Sequence, residues 1–211
     1  MEVFTLISGQ PDCPVFSNDP KKQAILEAAL HEFAENGYSG ASTRSIAKYA
    51  GVANGLMYYY FKDKKTLFLQ LCRILREWVV AFVYESIETS DMFETMLGLC
   101  KKKLELFSAY PSVYRVVMEE IRFFPREFQA DGKEIKRDLS FWPKAAKQEF
   151  TPHQAQTFEI MELALDAMGD RFLAKYFSGE LTGEEMFKLG IQKAVELIEY
   201  FKKVWDPPLG D

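Results

Sequence analysis

Residues 54–60, NGLMYYY, carry the side chains of this chain best suited to reading and holding a nucleic acid. Asn54 presents an amide that can pair bidentately with the edge of an adenine, and Leu56 offers an apolar contact of the kind made to a thymine methyl. The run Tyr58, Tyr59, Tyr60 suits a phosphate-facing surface, each hydroxyl donating to a phosphate oxygen while the ring packs on sugar. One of the three is expected to turn inward as core. No Ser/His/Asp or Cys/His constellation and no glycine-rich phosphate loop accompanies them, and the two histidines, His31 and His153, lie far apart without ligand spacing. An enzyme, a metal centre and a cofactor are therefore not expected.

The elements that must position these side chains are helical. Ser42 is a suitable N-cap for a helix over roughly 43–50, whose apolar stripe is Ile46, Ala47 and Ala50. Gly51 is placed to end it in the left-handed conformation, and Val52 is expected to drop into the core. The next helix, about 54–60, is too short to stand alone and must lie against its neighbours through Met57. Ala47, Gly51 and Met57 fit a helix-turn-helix: a small residue at the crossing, a glycine in the turn and an apolar seal. On spacing alone an ordinary helical hairpin fits as well. Upstream, Asp19–Pro20 opens a helix to about Asn36, with Ile25, Ala28, Ala29 and Phe33 on one face, Gly37 ending it and Tyr38 plugging the seam.

Downstream, Asp63 caps a long helix to about Glu88, with Leu67, Leu71, Ile74, Leu75, Trp78 and Phe82 along its apolar face. Further helices are predicted near 91–109, 112–124, 152–177 and 184–204, with a less regular stretch between Pro125 and Pro143. Nothing reads as a strand. The predicted fold is all-α with about nine helices: a three-helix head followed by a C-terminal helical domain. The predicted divisions are an arm over 1–18, partly disordered, a helix-turn-helix domain over 19–65, and a C-terminal helical domain over 66–211.

The segment GVANGLMYYYFKDKKTLF resembles the signature of the tetracycline-repressor (TetR) family of bacterial one-component regulators. The matching residues are Tyr58, Phe61, Lys62, Asp63, Lys64 and Leu67, and AILEAALHEFAENGYSGASTRSIAKYAGV upstream resembles the family's first two helices. The resemblance covers about residues 20–70. It implies DNA contacts from Thr43, Arg44, Asn54, Gly55, Leu56, Tyr58, Tyr59, Tyr60 and Lys64, with Arg44 reading a guanine and Lys64 meeting a phosphate at a helix N-terminus. Tyr60 departs from the histidine that many members carry there.

The same resemblance implies an effector pocket enclosed by helices between about 75 and 175. Trp78, Phe82, Phe107, Tyr110, Tyr114, Phe123, Phe158 and Glu162 are the candidates for a bulky apolar or aromatic ligand, although most aromatics of this half must be core. Glu119 and Glu120 are further groups able to neutralise a cationic ligand, unless they lie on a solvated face. Gly190 and Ala194 allow close helix approach. The resemblance implies that the last two helices pair with those of a second chain through Met161, Leu165, Met168, Phe172, Phe187, Gly190, Ile191 and Ala194. The expected partners are thus double-stranded operator DNA, a second copy and a small effector, with repression as the default output.

A formal net charge of −5 weighs against nucleic acid only as an average. Residues 19–65 hold seven lysines and arginines against five acids, so the acidic excess lies elsewhere. Three cysteines, Cys13, Cys72 and Cys100, have no C-x-x-C spacing and favour reduced thiols. No apolar run approaches the ~18 residues of a membrane span, and the N-terminus lacks the charged start of a signal peptide. A cytoplasmic protein with no membrane partner is expected.

Overall fold

The computed structural model describes residues 16–84, 91–127, 129–130 and 150–205. Eight helices are assigned among them, and no strand. They are α1 (Pro20–Gly40), α2 (Thr43–Tyr49), α3 (Asn54–Tyr60), α4 (Lys64–Tyr84), α5 (Met92–Ala109), α6 (Pro111–Phe123), α7 (Pro152–Phe177) and α8 (Gly183–Trp205). The arm over 1–15, most of the stretch 125–149, Cys13 and the predicted extension of α4 to Glu88 lie outside the described residues.

The chain divides into two compact units, one drawn from Met1–Val80 and Tyr110–Asp138, the other from Ala81–Ala109 and Leu139–Asp211. The sequence alone places the boundary at 65/66. α6 packs on α1, so it belongs with the helix-turn-helix rather than with the C-terminal half. The physical cause is the face that α6 buries: Val113, Tyr114, Val116 and Glu120. Most of α4 belongs to the same unit, and its residues from Ala81 fall in the other.

In the first unit, Asp19 caps α1, its Oδ1 accepting from the N–H groups of Lys21 and Lys22 at 2.9 and 3.2 Å. Ile25, Leu26, Ala28, Ala29, Leu30, Phe33 and Ala34 form the buried face of α1. Gly37 breaks the helical dihedrals as the sequence predicts, at φ 65° and ψ 172°, and a short helical turn follows it to Gly40. Ser42 caps α2 in a reciprocal arrangement with Ser45. Gly51, at φ 67°, then closes α2: its N–H reaches Lys48 O at 3.3 Å and that of Val52 reaches Ala47 O at 3.0 Å. Nothing lies within 4 Å of a Cβ built on Gly51, so backbone conformation alone demands glycine there. Val52 is half-buried, not core as expected; Met57 and Phe61 fill that place, both fully buried.

The second unit is α5, α7 and α8 packed on one another. Its core cluster is Met96, Met161, Leu165, Ala194, Ile198 and Phe201. Thr151 with Gln154, and Thr182 with Glu185, provide reciprocal caps for α7 and α8. Lys103 of α5 bonds Asp166 and Asp170 of α7 at 3.2 and 3.1 Å. Some residues of the predicted interface lie in this core. Met161, Leu165, Gly190 and Ala194 are buried within the protomer, and Met168, Phe172, Phe187 and Ile191 are half-buried. A Cβ on Gly190 would lie 2.8 Å from Leu104 Cδ1 and 3.8 Å from the Phe172 ring, so this glycine serves contacts within one chain. The apolar side chains left exposed on α7 and α8 are Ile160, Leu163, Leu189, Val195 and Tyr200.

Candidate nucleic-acid interface

α2 and α3 pack on one another, and their Ala47 and Met57 are 1% and 0% exposed. With this seam closed, the polar side chains of both short helices are left outside. Arg44, Asn54 and Gly55 are exposed, Leu56 is half-buried, and Tyr58 and Tyr59 are 49% and 80% exposed. Thr43 Oγ1 and Tyr58 Oη are 3.1 Å apart, linking the first turn of α2 to the middle of α3. A Cβ on Gly55 would meet nothing within 4 Å, so the surface of α3 is open there to a close neighbour. Lys48 and Lys62 are also exposed, and neither is among the DNA contacts expected from the sequence.

Tyr60 and Lys64 have partners of their own. The Tyr60 hydroxyl donates to Asp19 Oδ2 at 2.6 Å, tying the end of α3 to the cap of α1. The ring is half-buried, so Tyr60 is the member of the tyrosine run that turns back toward the fold. Lys64 Nζ donates to Tyr38 O at 2.8 Å and Ala41 O at 3.0 Å, and lies 4.6 Å from the Tyr38 ring centre. An ammonium has three N–H groups, and two of these hold the turn between α1 and α2. Residue type and helix position suggested phosphate for Lys64; the long-range acceptors could not be read from the sequence.

The Tyr60 bond makes a pH prediction. The hydrogen bond from Tyr60, with the Lys22 amide next, holds the Asp19 carboxyl below its ordinary value, and the same bond raises the Tyr60 phenol. Asp19 therefore contributes stability above its unfolded-state value and loses it as pH falls through the lower folded one. Tyr60 contributes below its unfolded-state value and loses it as pH rises through the raised one. Tyr60→Phe is expected to move the Asp19 titration upward, read by carboxyl-resolved NMR. An unmoved Asp19 would exclude the bond in solution.

The eight predicted effector residues divide between the units. In the first, Trp78 meets Tyr110 edge-on at 5.1 Å, Tyr114 is buried and Phe123 is exposed beside Tyr38. In the second, Phe107 is buried, Phe82 lies under the Lys102 ammonium at 5.6 Å, Phe158 packs on Phe150 and Glu162 is half-buried. Glu119 and Glu120 both have partners within the first unit. Glu119 accepts from the Tyr38 N–H at 3.0 Å, and Glu120 is fully buried against Arg76. Among the described residues no group of three His, Cys, Asp or Glu could hold a metal, and no helix is long and apolar enough to cross a membrane.

An exposed, tyrosine-rich second helix held across a first by a buried Ala–Met seam defines a helix-turn-helix DNA-binding protein. Residues 25–71 match the model for bacterial regulatory proteins, tetR family. Over these residues the chain is similar to the DNA-binding region of that family. It is 25% identical over 185 residues to the transcriptional repressor AcnR of Corynebacterium efficiens, covering 84% of this chain and 90% of that one. It is 46% identical over 117 residues to the fatty acid metabolism regulator protein of Bacillus subtilis, covering 55% of this chain and 60% of that one. The structure of the regulator FadR from Bacillus subtilis in complex with stearoyl-CoA has the same fold, with a TM-score of 0.61 at 19% identity. That likeness covers 83% of this chain and 96% of the other.

Proposed function

We propose that this protein is a cytoplasmic repressor that binds an inverted-repeat operator as a homodimer and leaves it when a small apolar effector binds. The observation that carries the reading is the exposed set Arg44, Asn54, Tyr58 and Tyr59 on two helices locked by a buried seam. In this reading Arg44 and Asn54 read base edges, Leu56 and Gly55 allow close approach, and Thr43, Tyr58 and Tyr59 face phosphates. Tyr60 supports α3 through Asp19. Lys64 offers phosphate its helix N-terminal N–H while its ammonium holds the α1–α2 turn.

A random pool of duplexes, selected on the full chain, provides the operator. Arg44→Ala is expected to cost about 1–3 kcal/mol per half-site and to relax specificity at one base pair. Lys62→Ala should weaken binding to all duplexes alike and flatten the salt dependence by about one unit per half-site. Equal losses from both variants on specific and scrambled DNA would refute this division.

For the effector, the name of the Bacillus subtilis relative and the stearoyl-CoA complex favour long-chain acyl compounds as the first bulky apolar class to try. Within the second unit, the aromatic side chains of Phe82 and Phe158 suit such a chain, and Glu162 suits a polar end. α4 runs unbroken through both units and is the element a ligand would move. A ligand shifts the protein only by binding one state better than the other. A coupling of about 1–3 kcal/mol would lower operator affinity about 5–150-fold, and operator would weaken ligand binding by the same factor. Stearoyl-CoA titrated calorimetrically with and without operator tests this, and equal affinities would exclude it as the effector.

A further inference from the structure

We propose that Glu119 is a positioning residue for DNA binding: from α6 it holds the turn that places the DNA-facing start of α2. The inference rests on reading α2 and α3 as the DNA-contacting pair. Gly37 leaves helical geometry at φ 65°, so the N–H of Tyr38 turns away from the ladder of α1. It donates instead to Glu119 Oε2, 3.0 Å away and 81 residues along the chain. The carboxylate lies directly on the glycine, since a Cβ on Gly37 would be 3.2 Å from the same oxygen. Glycine is required here for its positive φ, and it also leaves room beside the acid.

The rest of the turn is held as closely. The Ala41 N–H returns to Gly37 O at 3.1 Å, and Lys64 takes Tyr38 O and Ala41 O from the side of α4. The Tyr38 ring meets Phe68 and Phe124 edge-on, both at 4.9 Å, and Phe123 at 5.6 Å. α6 therefore grips both the backbone and the side chain of one residue. Ala41 is followed at once by Ser42, the cap of α2, and then by Thr43 and Arg44. No flexible segment intervenes, so a displacement of α6 along α1 reaches the base-reading side chains with little loss. The carboxylate is an acceptor that α6 gives to this turn, which makes it a point where the two are fastened.

The test uses the full chain and the duplex that the wild-type protein selects from a random pool. Glu119→Ala should weaken binding of that duplex about tenfold or more, the scale of one lost charge-assisted hydrogen bond. Glu119→Gln, whose amide oxygen accepts the same N–H, should stay within about twofold of wild type. Both are measured well below their thermal midpoints, where a merely stabilising residue would leave affinity unchanged. Wild-type affinity in the alanine variant, or an equal fall in both variants, would overturn the proposal. Should the alanine variant fail to fold, amide exchange at Tyr38 in the wild-type protein decides. Protection that increases when duplex is added supports the role, while free exchange or no change on adding duplex overturns it. Failure of the wild-type chain to select any duplex would instead refute the DNA-binding reading itself.

Discussion

Glu120→Ala should destabilise the first unit by about 3–5 kcal/mol, the usual result of leaving one partner of a buried ion pair without the other. Glu120 is 0% exposed and Arg76 7%, and each is the other's ion-pair partner between α6 and α4. Cys72, one turn before Arg76, shares their surroundings. Burial first and the Glu120 charge second push its thiol well above the ordinary value, so it stays protonated. Removing both charges with Arg76→Met and Glu120→Leu should be neutral or stabilising by about 1–4 kcal/mol, because two desolvation costs vanish together. Urea unfolding of the single and double variants reads the difference. A single variant as stable as wild type would mean that the pair is hydrated in solution.

Leu163→Glu should convert the proposed dimer to a folded monomer, whereas Gly190→Leu should damage the fold itself. The contrast follows from where the two side chains lie. Leu163 is 64% exposed, and with Ile160 at 50%, Val195 at 40% and Leu189 at 38% it leaves apolar surface uncovered on α7 and α8. A charge placed at such a surface, once it is covered by a second copy, must be desolvated without a partner. Gly190 faces Leu104 at a distance that even one added carbon would crowd, so four added carbons overpack the core by about 1–3 kcal/mol or more. Sedimentation equilibrium, helical circular dichroism and thermal midpoints separate the outcomes. A Leu163→Glu protein that still sediments as a dimer would move the interface to another face.

The helix-turn-helix was legible because its constraints are local. Ser42 as a cap, Gly51 with positive φ and Met57 as the seal each follow from a residue and its neighbours within a few positions. Helix starts were legible for the same reason where a proline marks them, as Pro152 does for α7. What could not be read was which face of a helix meets which neighbour over long separations. The periodicity of α7 and α8 shows that Met161, Leu165 and Ala194 are apolar at helical spacing, but not whether a sister helix or a second chain covers them. Glu119 and Glu120 carry the same side chain at adjacent positions, and only tertiary placement gives one a backbone amide and the other a buried arginine. The packing partner of α6 could not be read either, because chain order does not report that it returns to α1.

That return has a consequence for how the protein is made. The DNA-binding head is a discontinuous unit: α1 ends at Gly40, and the helix that covers it begins only at Pro111. At ribosomal rates of about 5–20 residues per second, α1 waits roughly 4–14 s for α6 to emerge. During that interval its buried Phe33 and its neighbours have only α2, α3 and α4 to shelter against. A fragment ending after the helix-turn-helix would hold every proposed base-reading residue and still lack part of its own core.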